Sequence, residues 1–530
     1  MRKLHHFHGG IHPPGNKLQS TRTGIERAPL PSKLVVPLHQ HAGESAKPVV
    51  HAGDHVLKGQ LIGMPDGTVS SAVHAPTSGT ITAIDMQLIA HPSGLLNLCA
   101  TLIPDGKEEW VACRPLEYRE HSPAELRYQL RMAGVVGLGG AAFPSDVKLR
   151  TDERRIATLI LNGAECEPFI TCDDLLMRER AAEIVQGAEM LRFMLDANEV
   201  LYAVEDNKPE AITSLQEAIR DSISVLRQDK RHEVTVIPTI YPVGGAKQLI
   251  RVLTGLEVPS GKLPTDVGVQ CFNVATAYTT HRALAHGEPL LSRIVTVTGN
   301  VSHAQNFDAL IGTPISELVA MAGVLPDTNG YIMGGPMMGF PLPEMGTPGS
   351  APPVPMVKAT NCIIAASEKL FPPPPPAMPC IRCTRCVEVC PADLQPQDLF
   401  WFAQSREFGR AQAFNLFECI ECGACSYVCP SNIPLVQFYR FAKSEIRARE
   451  HDKKLADQAR ERHEYREYRI EREKREKSER LAAKEKAAQA AKLAGSQPLT
   501  PQQQAEQAEL DARRVHILEL AKSEVENTSQ

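Results

Sequence analysis

Eight cysteines within about fifty residues constrain this chain more than any other feature. The run Cys380-x-x-Cys383-x-x-Cys386-x-x-x-Cys390-Pro391 recurs as Cys419-x-x-Cys422-x-x-Cys425-x-x-x-Cys429-Pro430. Three closely spaced thiolates can wrap three corners of an iron–sulfur cubane, and the fourth of each run reaches across to the other cluster. The expected ligand sets are therefore Cys380, Cys383, Cys386 and Cys429 for one [4Fe–4S] cluster, and Cys419, Cys422, Cys425 and Cys390 for a second. Zinc also accepts all-cysteine sites, but it pairs two knuckles instead of using four-cysteine runs closed by proline. Two adjacent clusters pass single electrons. The other six cysteines (Cys99, Cys113, Cys166, Cys172, Cys271 and Cys362) have no ligand spacing and read as inert thiols.

At 530 residues the chain is too long for one core, so three or more domains are expected. The net charge of −5 argues against nucleic acid as a partner. No apolar run is long enough to span a membrane, and Met1-Arg2-Lys3 opens no signal peptide, so a chain without its own transmembrane segment on the cytoplasmic side is expected. In that compartment the cysteine spacing favours metal over disulfides.

The expected fold is multidomain. Residues 1–115 read as a β barrel-sandwich hybrid, from strand pairs around the glycine turns of 53–63 and 73–84, with no lysine between Gln60 and Pro76 to carry a swinging cofactor. Residues 116–285 alternate helix and strand patterns: helix from Pro123, strand 158–161, helix 173–195, strand 199–204, helix 209–227 and strand 233–237. Such alternation implies an α/β domain with a parallel sheet. Residues 286–345 form a smaller strand–helix–strand unit over 294–299, 314–322 and 331–333. A proline-rich linker, 346–379, contains five prolines from Pro372 to Pro376 and reads as a polyproline spacer. The two-cluster domain covers 380–443, with a helical segment over 396–417. The tail, 444–530, is dominated by Glu, Lys, Arg and Ala and reads as a charged helical or disordered segment, with i,i+4 pairs such as Glu471–Arg475. The opening histidines, His5, His6, His8 and His12, read as a polar terminus.

A second informative stretch is Gly137-Leu138-Gly139-Gly140-Ala141-Ala142-Phe143-Pro144, with Lys148 just beyond. Alone it fits either a phosphate-cradling loop or a glycine-rich turn. It is followed by Asn162-Gly163-Ala164-Glu165-Cys166-Glu167-Pro168, then Tyr241-Pro242-Val243-Gly244-Gly245-Ala246-Lys247, then Phe272-Asn273-Val274-Ala275-Thr276. In that order, over roughly 125–340, these motifs resemble the NADH- and FMN-binding subunit of respiratory complex I.

The resemblance implies FMN contacts from Gly137, Gly139, Gly140, Lys148, Asn162, Gly244, Asn273 and Thr276. It also implies catalytic positions for Phe143, Glu165 and Glu167 beside the flavin or a stacked NADH, and a β-grasp fold for 286–345. Ala164 and Gly245-Ala246 stand where that family has acidic residues. The complex I subunit also has one cluster where this chain has two.

With the barrel-sandwich domain in front, His8-Gly9-Gly10-Ile11-His12-Pro13 at the start and the two cysteine runs behind, the whole chain resembles the RnfC subunit of Rnf-type ion-translocating electron-transport complexes. That resemblance implies an NADH-linked oxidoreductase subunit moving electrons between NADH and ferredoxin-type carriers. Its partners would be the other subunits of a membrane complex and a ferredoxin or equivalent iron–sulfur subunit, and its place peripheral, at the cytoplasmic face of a bacterial inner membrane. The alternatives are a flavin-free iron–sulfur wire or docking scaffold, or the NADH dehydrogenase module of another redox complex.

Overall fold

The computed structural model describes residues 2–151, 154–222, 232–342, 354–495 and 498–527. It has two compact units, Met1–Ser444 and Glu445–Gln530.

In the first unit, two small sheets enclose the first core. One has strands Leu34–Pro37, Leu96–Pro104, Gly79–Leu88 and His55–Val56 in that order; the other has Lys47–Pro48, Leu61–Met64 and Val73–His74. Alternating side chains from both (Leu34, Val36, Ile62, Val73, Ile81, Leu102) meet in one cluster. This is the period-2 pattern of sheets with one buried face.

The central layer is a four-stranded, wholly parallel sheet ordered His232–Ile237, Glu199–Glu205, Thr158–Gly163 and Val269–Asn273. Three of its strands, Glu199–Glu205, Thr158–Gly163 and Val269–Asn273, are buried on both faces. Leu159, Leu161, Val200 and Tyr202 face helices Ala181–Leu195 and Val274–Ala285. Ile160, Leu201 and Ala203 face helix Ala246–Thr254. Such strands read as apolar runs without alternation, because helices cover both sides. The chain enters this sheet at Thr158–Gly163, builds outward in one direction through two strands, then returns to add Val269–Asn273 on the other side. The reversal opens a crevice at the carboxyl ends of Thr158–Gly163 and Val269–Asn273, where α/β sheets bind ligands.

Several expectations need correcting. The helix expected over 173–195 breaks at Arg180 into Cys172–Glu179 and Ala181–Leu195. The segment 396–417 is two short helices, Pro396–Gln404 and Phe408–Ala413, parted where Arg406 takes a φ of 58°. The helix from Pro209 ends at Asp221, and the expected continuation over 223–227 lies outside the described residues.

The largest correction concerns the expected linker. Cys362–Ala366, inside 346–379, is a fully buried strand at the centre of a six-stranded sheet, parallel to Ser292–Gly299 and antiparallel to Gly330–Met333. Its five residues, midway between Pro355 and Pro372, are too short a run for any periodicity to show. Glu26–Arg27, from the stretch expected to belong to the first domain, pairs at the edge of the same sheet. Pro372–Pro376 are exposed. The end of the 286–345 unit and the start of the linker, 343–353, lie outside the described residues.

The second unit is helical, through residue 494 and again over Pro501–Asn527. Ion pairs Arg469–Glu473, Arg472–Glu476 and Arg475–Glu479 run along it at 3.4–3.8 Å, with the arginine N-terminal to the glutamate. At exposed positions such pairs contribute little. Among the described residues no helix is long and apolar enough to cross a membrane.

Candidate flavin and iron–sulfur sites

The eight cysteines line two cavities. Cys380, Cys383, Cys386 and Cys429 line one, with Ile381, Trp401 and Ile433 around them. Cys390, Cys419, Cys422 and Cys425 line the other, walled by Leu394, Val436 and Tyr439. Each cavity takes three thiols from one run and one from the other, because short helices that carry the third cysteine, Arg385–Glu388 and Ala424–Tyr427, turn the fourth away. Backbone amides point at the sulfurs: Arg382 N to Cys380 Sγ, Leu394 N to Cys390 Sγ and Glu421 N to Cys419 Sγ, all at 3.4 Å. Four converging sulfurs with amide donors in a largely apolar wall fit a cubane, whose anionic charge the amides stabilise.

The two cavities differ in setting. Ile381 (67% exposed) and Trp401 (42%) put the first at the surface. The second is buried against the central domain. Tyr241 Oη donates to Cys422 O at 2.5 Å, Gln248 Nε2 to Pro391 O at 3.0 Å, and Lys247 pairs with Glu418 at 2.6 Å. His8 donates from Nδ1 to Cys390 O at 2.8 Å. Lys443 binds both Cys419 O (2.6 Å) and Glu421 (2.9 Å) on the far side. Among the described residues, no hydrogen bond ties the loop Cys380–Cys386 to the central domain.

The crevice of the parallel sheet gathers the glycine loop and the asparagines. Asn162 and Asn273 are register partners at the ends of neighbouring strands. Asn162 donates to Gly244 O (2.8 Å) and accepts from Ala164 N (3.0 Å). Asn273 caps helix Val274–Ala285 by accepting from Ala275 N (2.8 Å), and donates to Asp173 (2.6 Å). The loop is pinned where Gly137 N meets Phe143 O (2.8 Å) and Leu138 N meets the buried Thr276 Oγ1 (2.9 Å). Beyond those pins Gly139, Gly140 and Ala141 are exposed, and their amides donate to no protein acceptor among the described residues. A Cβ on Gly140, where φ is 109°, would meet nothing within 4 Å, so the loop borders open space. Free amides on an open glycine loop beside a helix N-terminus suit a phosphate. Lys148 stands over the Phe272 ring at 4.7 Å, and Phe143 is exposed at the loop's end.

Glu165 and Glu167 lie on the side facing the six-stranded sheet. Glu165 accepts from Asp173 N (2.8 Å) and Asp174 N (3.3 Å), taking the cap position of helix Cys172–Glu179. Burial pushes its pKa up to about 7, with Lys17 drawing it back. Glu167 accepts from Met337 N (2.7 Å) and Met338 N (3.0 Å), and burial raises it too. Sequence reasoning misses three partners of this region. Lys17 donates to Glu167 O (2.9 Å) and Ile170 O (2.5 Å). Asp173 holds Asn273, and the buried Arg293 binds the carbonyls of Leu138 and Lys358. None belongs to a motif, and a lysine held inside the molecule by backbone carbonyls leaves no trace in local pattern. Glu165, Cys172 and Asp173 could together face a metal ion, but Lys17 and Arg293 supply the positive charge there.

Open glycine loop, asparagine pair and two four-cysteine cavities define a flavoprotein with two iron–sulfur clusters. Comparison with known families agrees: residues 130–282 match the Nuo51 FMN-binding domain and residues 379–433 a 4Fe-4S dicluster domain. Residues 5–107 match the RnfC barrel sandwich hybrid domain, and residues 294–341 the SLBB domain. The cofactors are FMN and two [4Fe–4S] clusters.

The chain belongs to the RnfC family of ion-translocating oxidoreductase complex subunits. It is 48% identical to the corresponding subunit of Edwardsiella ictaluri (87% of this chain, 56% of the relative), and 46% identical to that of Pseudomonas aeruginosa (88% and 58%). It is 47% identical to that of Yersinia pestis (87% and 73%). The chain thus spans little more than half the length of the first two relatives. An NAD+-reducing [NiFe]-hydrogenase structure matches at TM-score 0.45 and 17% identity, over 62% of this chain and 63% of its own, too distant to bear on function.

Proposed function

We propose that this chain is the peripheral NADH-linked subunit of a membrane-bound ion-translocating complex, passing electrons between NADH and ferredoxin-type carriers. Its partners are then the other subunits and a ferredoxin or equivalent iron–sulfur subunit, and its place is the cytoplasmic face of a bacterial inner membrane. The observation that carries the reading is spatial order. The glycine-loop crevice, the buried four-cysteine cavity and the surface four-cysteine cavity belong to one unit, and the loop Tyr241–Gln248 reaches from the crevice to the buried cavity.

Bound flavin supplies the link between a two-electron hydride donor and clusters that take electrons singly. The chain's own residues do the rest. The amides of Gly139, Gly140 and Ala141 face the phosphate, with Gly137 fixing the loop and Lys148 adding charge. Asn162, Gly244, Asn273 and Thr276 fix the crevice floor. Phe143 covers its mouth. Glu165 gives both carboxylate oxygens to the amides of Asp173 and Asp174, and Glu167 gives Oε1 to those of Met337 and Met338 and meets the Tyr241 hydroxyl, so both would act by holding the turn 164–171 at the border of the crevice. Cys390, Cys419, Cys422 and Cys425 bind the inner cluster, and Cys380, Cys383, Cys386 and Cys429 the outer one, beside Ile381 and Trp401. The 286–345 unit, read as a β-grasp fold, buttresses the turn through Met337 and Met338.

A second reading, a wire without flavin, is favoured by Ala164 and Gly245-Ala246, which remove carboxylates from the crevice. Anaerobic purification with iron, sulfide and flavin quantified, followed by NADH titration, separates the two. About eight irons and one flavin, with clusters reducible by NADH, support the first reading. Full iron without flavin, and no response to NADH, supports the second.

A further inference from the structure

The segment His8-Gly9-Gly10-Ile11 at the start of the chain lies in the seam between the flavin domain and the inner-cluster domain. His8 Nδ1 donates to Cys390 O (2.8 Å), and Gly10 N donates to Val389 O (3.1 Å). On its other side Ile11 exchanges both backbone hydrogen bonds with Tyr241 (2.8 and 2.9 Å), and Ile11 is buried with Tyr241, Cys166 and Cys422. Tyr241 in turn donates to Cys422 O. Further back, His5 N reaches Val252 O (2.9 Å) and Arg2 pairs with Glu199, so the segment is anchored along the central domain before it crosses.

The two glycines are required by space as well as by backbone angle. A Cβ on Gly9 would sit 2.5 Å from Val389 C and O, and one on Gly10 would sit 2.6 Å from the Ile240 side chain, with φ at 74° and 93°. No other residue fits so close to the peptide preceding a cluster ligand.

From these contacts we infer that His8–Ile11 is a positioning strap for electron transfer, fixing the inner cluster against the flavin domain by gripping the Val389–Cys390 peptide and Tyr241 together. The inference rests on the reading that flavin occupies the crevice and that Cys390 ligates the inner cluster. The strap residues touch neither substrate nor cofactor. They hold the two bodies at one separation, and such positioning can carry a large share of a rate. Each electron crossing the seam oxidises the reduced flavin by one equivalent and reduces the inner cluster by one; the strap neither supplies nor takes a proton.

The test uses the full chain with both cofactors, as wild type, Gly9→Ala and the milder His8→Ala. Iron and flavin contents and the rate of flavin bleaching by NADH are measured first, then cluster reduction in the same stopped-flow traces. Hydrogen exchange is followed at residues 240–248 and 386–394 in the same cofactor-loaded protein.

Expected for Gly9→Ala is unchanged flavin bleaching, cluster reduction slowed about tenfold or more, and lost protection in both segments, with a smaller effect for His8→Ala. Unchanged cluster reduction with unchanged exchange overturns the strap. Loss of inner-cluster iron in both variants also overturns it, since the segment would then merely retain the metal. If the wild type binds no flavin, the functional reading itself fails, a result distinct from either.

Discussion

Asn162 and Asn273 stand opposite each other at the carboxyl ends of two neighbouring parallel strands, and each spends its side chain on a different wall of the same crevice. Asn162 holds the Gly244 loop that runs on to the inner cysteines. Asn273 caps a helix and restrains Asp173. On the proposed reading, flavin binding and the approach to the inner cysteines are coupled through one pair. Asn273→Ala should lower stability by about 1 kcal/mol, the usual cost of losing an N-cap, and should also release flavin. Thermal unfolding and flavin content after gel filtration check both.

Gly140 separates site from scaffold. It is exposed, its φ of 109° suits glycine alone, and no neighbour would meet a Cβ there. Gly140→Ala should therefore strain only the loop, weakening FMN binding about tenfold or more while cluster content stays complete. Flavin fluorescence titration of apoprotein reads the first quantity and iron analysis the second. Normal flavin affinity would move the phosphate away from this loop.

The seam between the first domain and the flavin domain should be acid-sensitive. Burial, reinforced by Lys358, lowers the pKa of His41 and His74 to about 3. Between the ordinary histidine value and that figure the unfolded chain binds more protons than the folded one. Stability is therefore whole above about pH 6.5 and falls with pH below it, by about 2 kcal/mol per histidine down to pH 5. Urea unfolding at pH 7 and pH 5, in wild type and His74→Gln, should show a shallower acid loss in the variant.

Tyr241→Phe deletes one buried hydroxyl, which donates to Cys422 O and also meets the Glu167 side chain. Cys422 O then loses its partner, which costs about 1–3 kcal/mol for an unsatisfied buried acceptor. Because that carbonyl belongs to an inner-cluster ligand, the inner-cluster midpoint should move in a redox titration followed by EPR, while the outer one stays. Equal shifts in both would place Tyr241 elsewhere in the electron path.

The cysteine runs were legible because their ligands are neighbours in sequence, so spacing alone carries geometry. The order of the later motifs was legible for a similar reason: those of Asn162, Gly244 and Asn273 each end or follow a strand of one sheet, and the glycine loop before them lies between helices Pro123–Met132 and Ser145–Lys148. What escaped depends on distant partners. Cys362–Ala366 is a strand only because Ser292–Gly299 and Gly330–Met333 receive it on either side. The opening histidines looked like a polar terminus until the backbone at Val389 and Tyr241 gave Gly10 and Ile11 their partners. Half-buried Lys17 and buried Arg293 are held by carbonyls from remote loops, and such charge has no periodic signature.

Electrons from NADH should pass in the order flavin, inner cluster, outer cluster, and a pair of ligand variants tests that order directly. In Cys386→Ala, which should lose the outer cluster alone, NADH should still reduce the inner cluster at the wild-type rate. In Cys425→Ala, which should lose the inner cluster, NADH should bleach the flavin but leave the outer cluster oxidised on the same timescale, as followed by rapid-freeze EPR. Reduction of the outer cluster at the wild-type rate in Cys425→Ala would contradict the order outright.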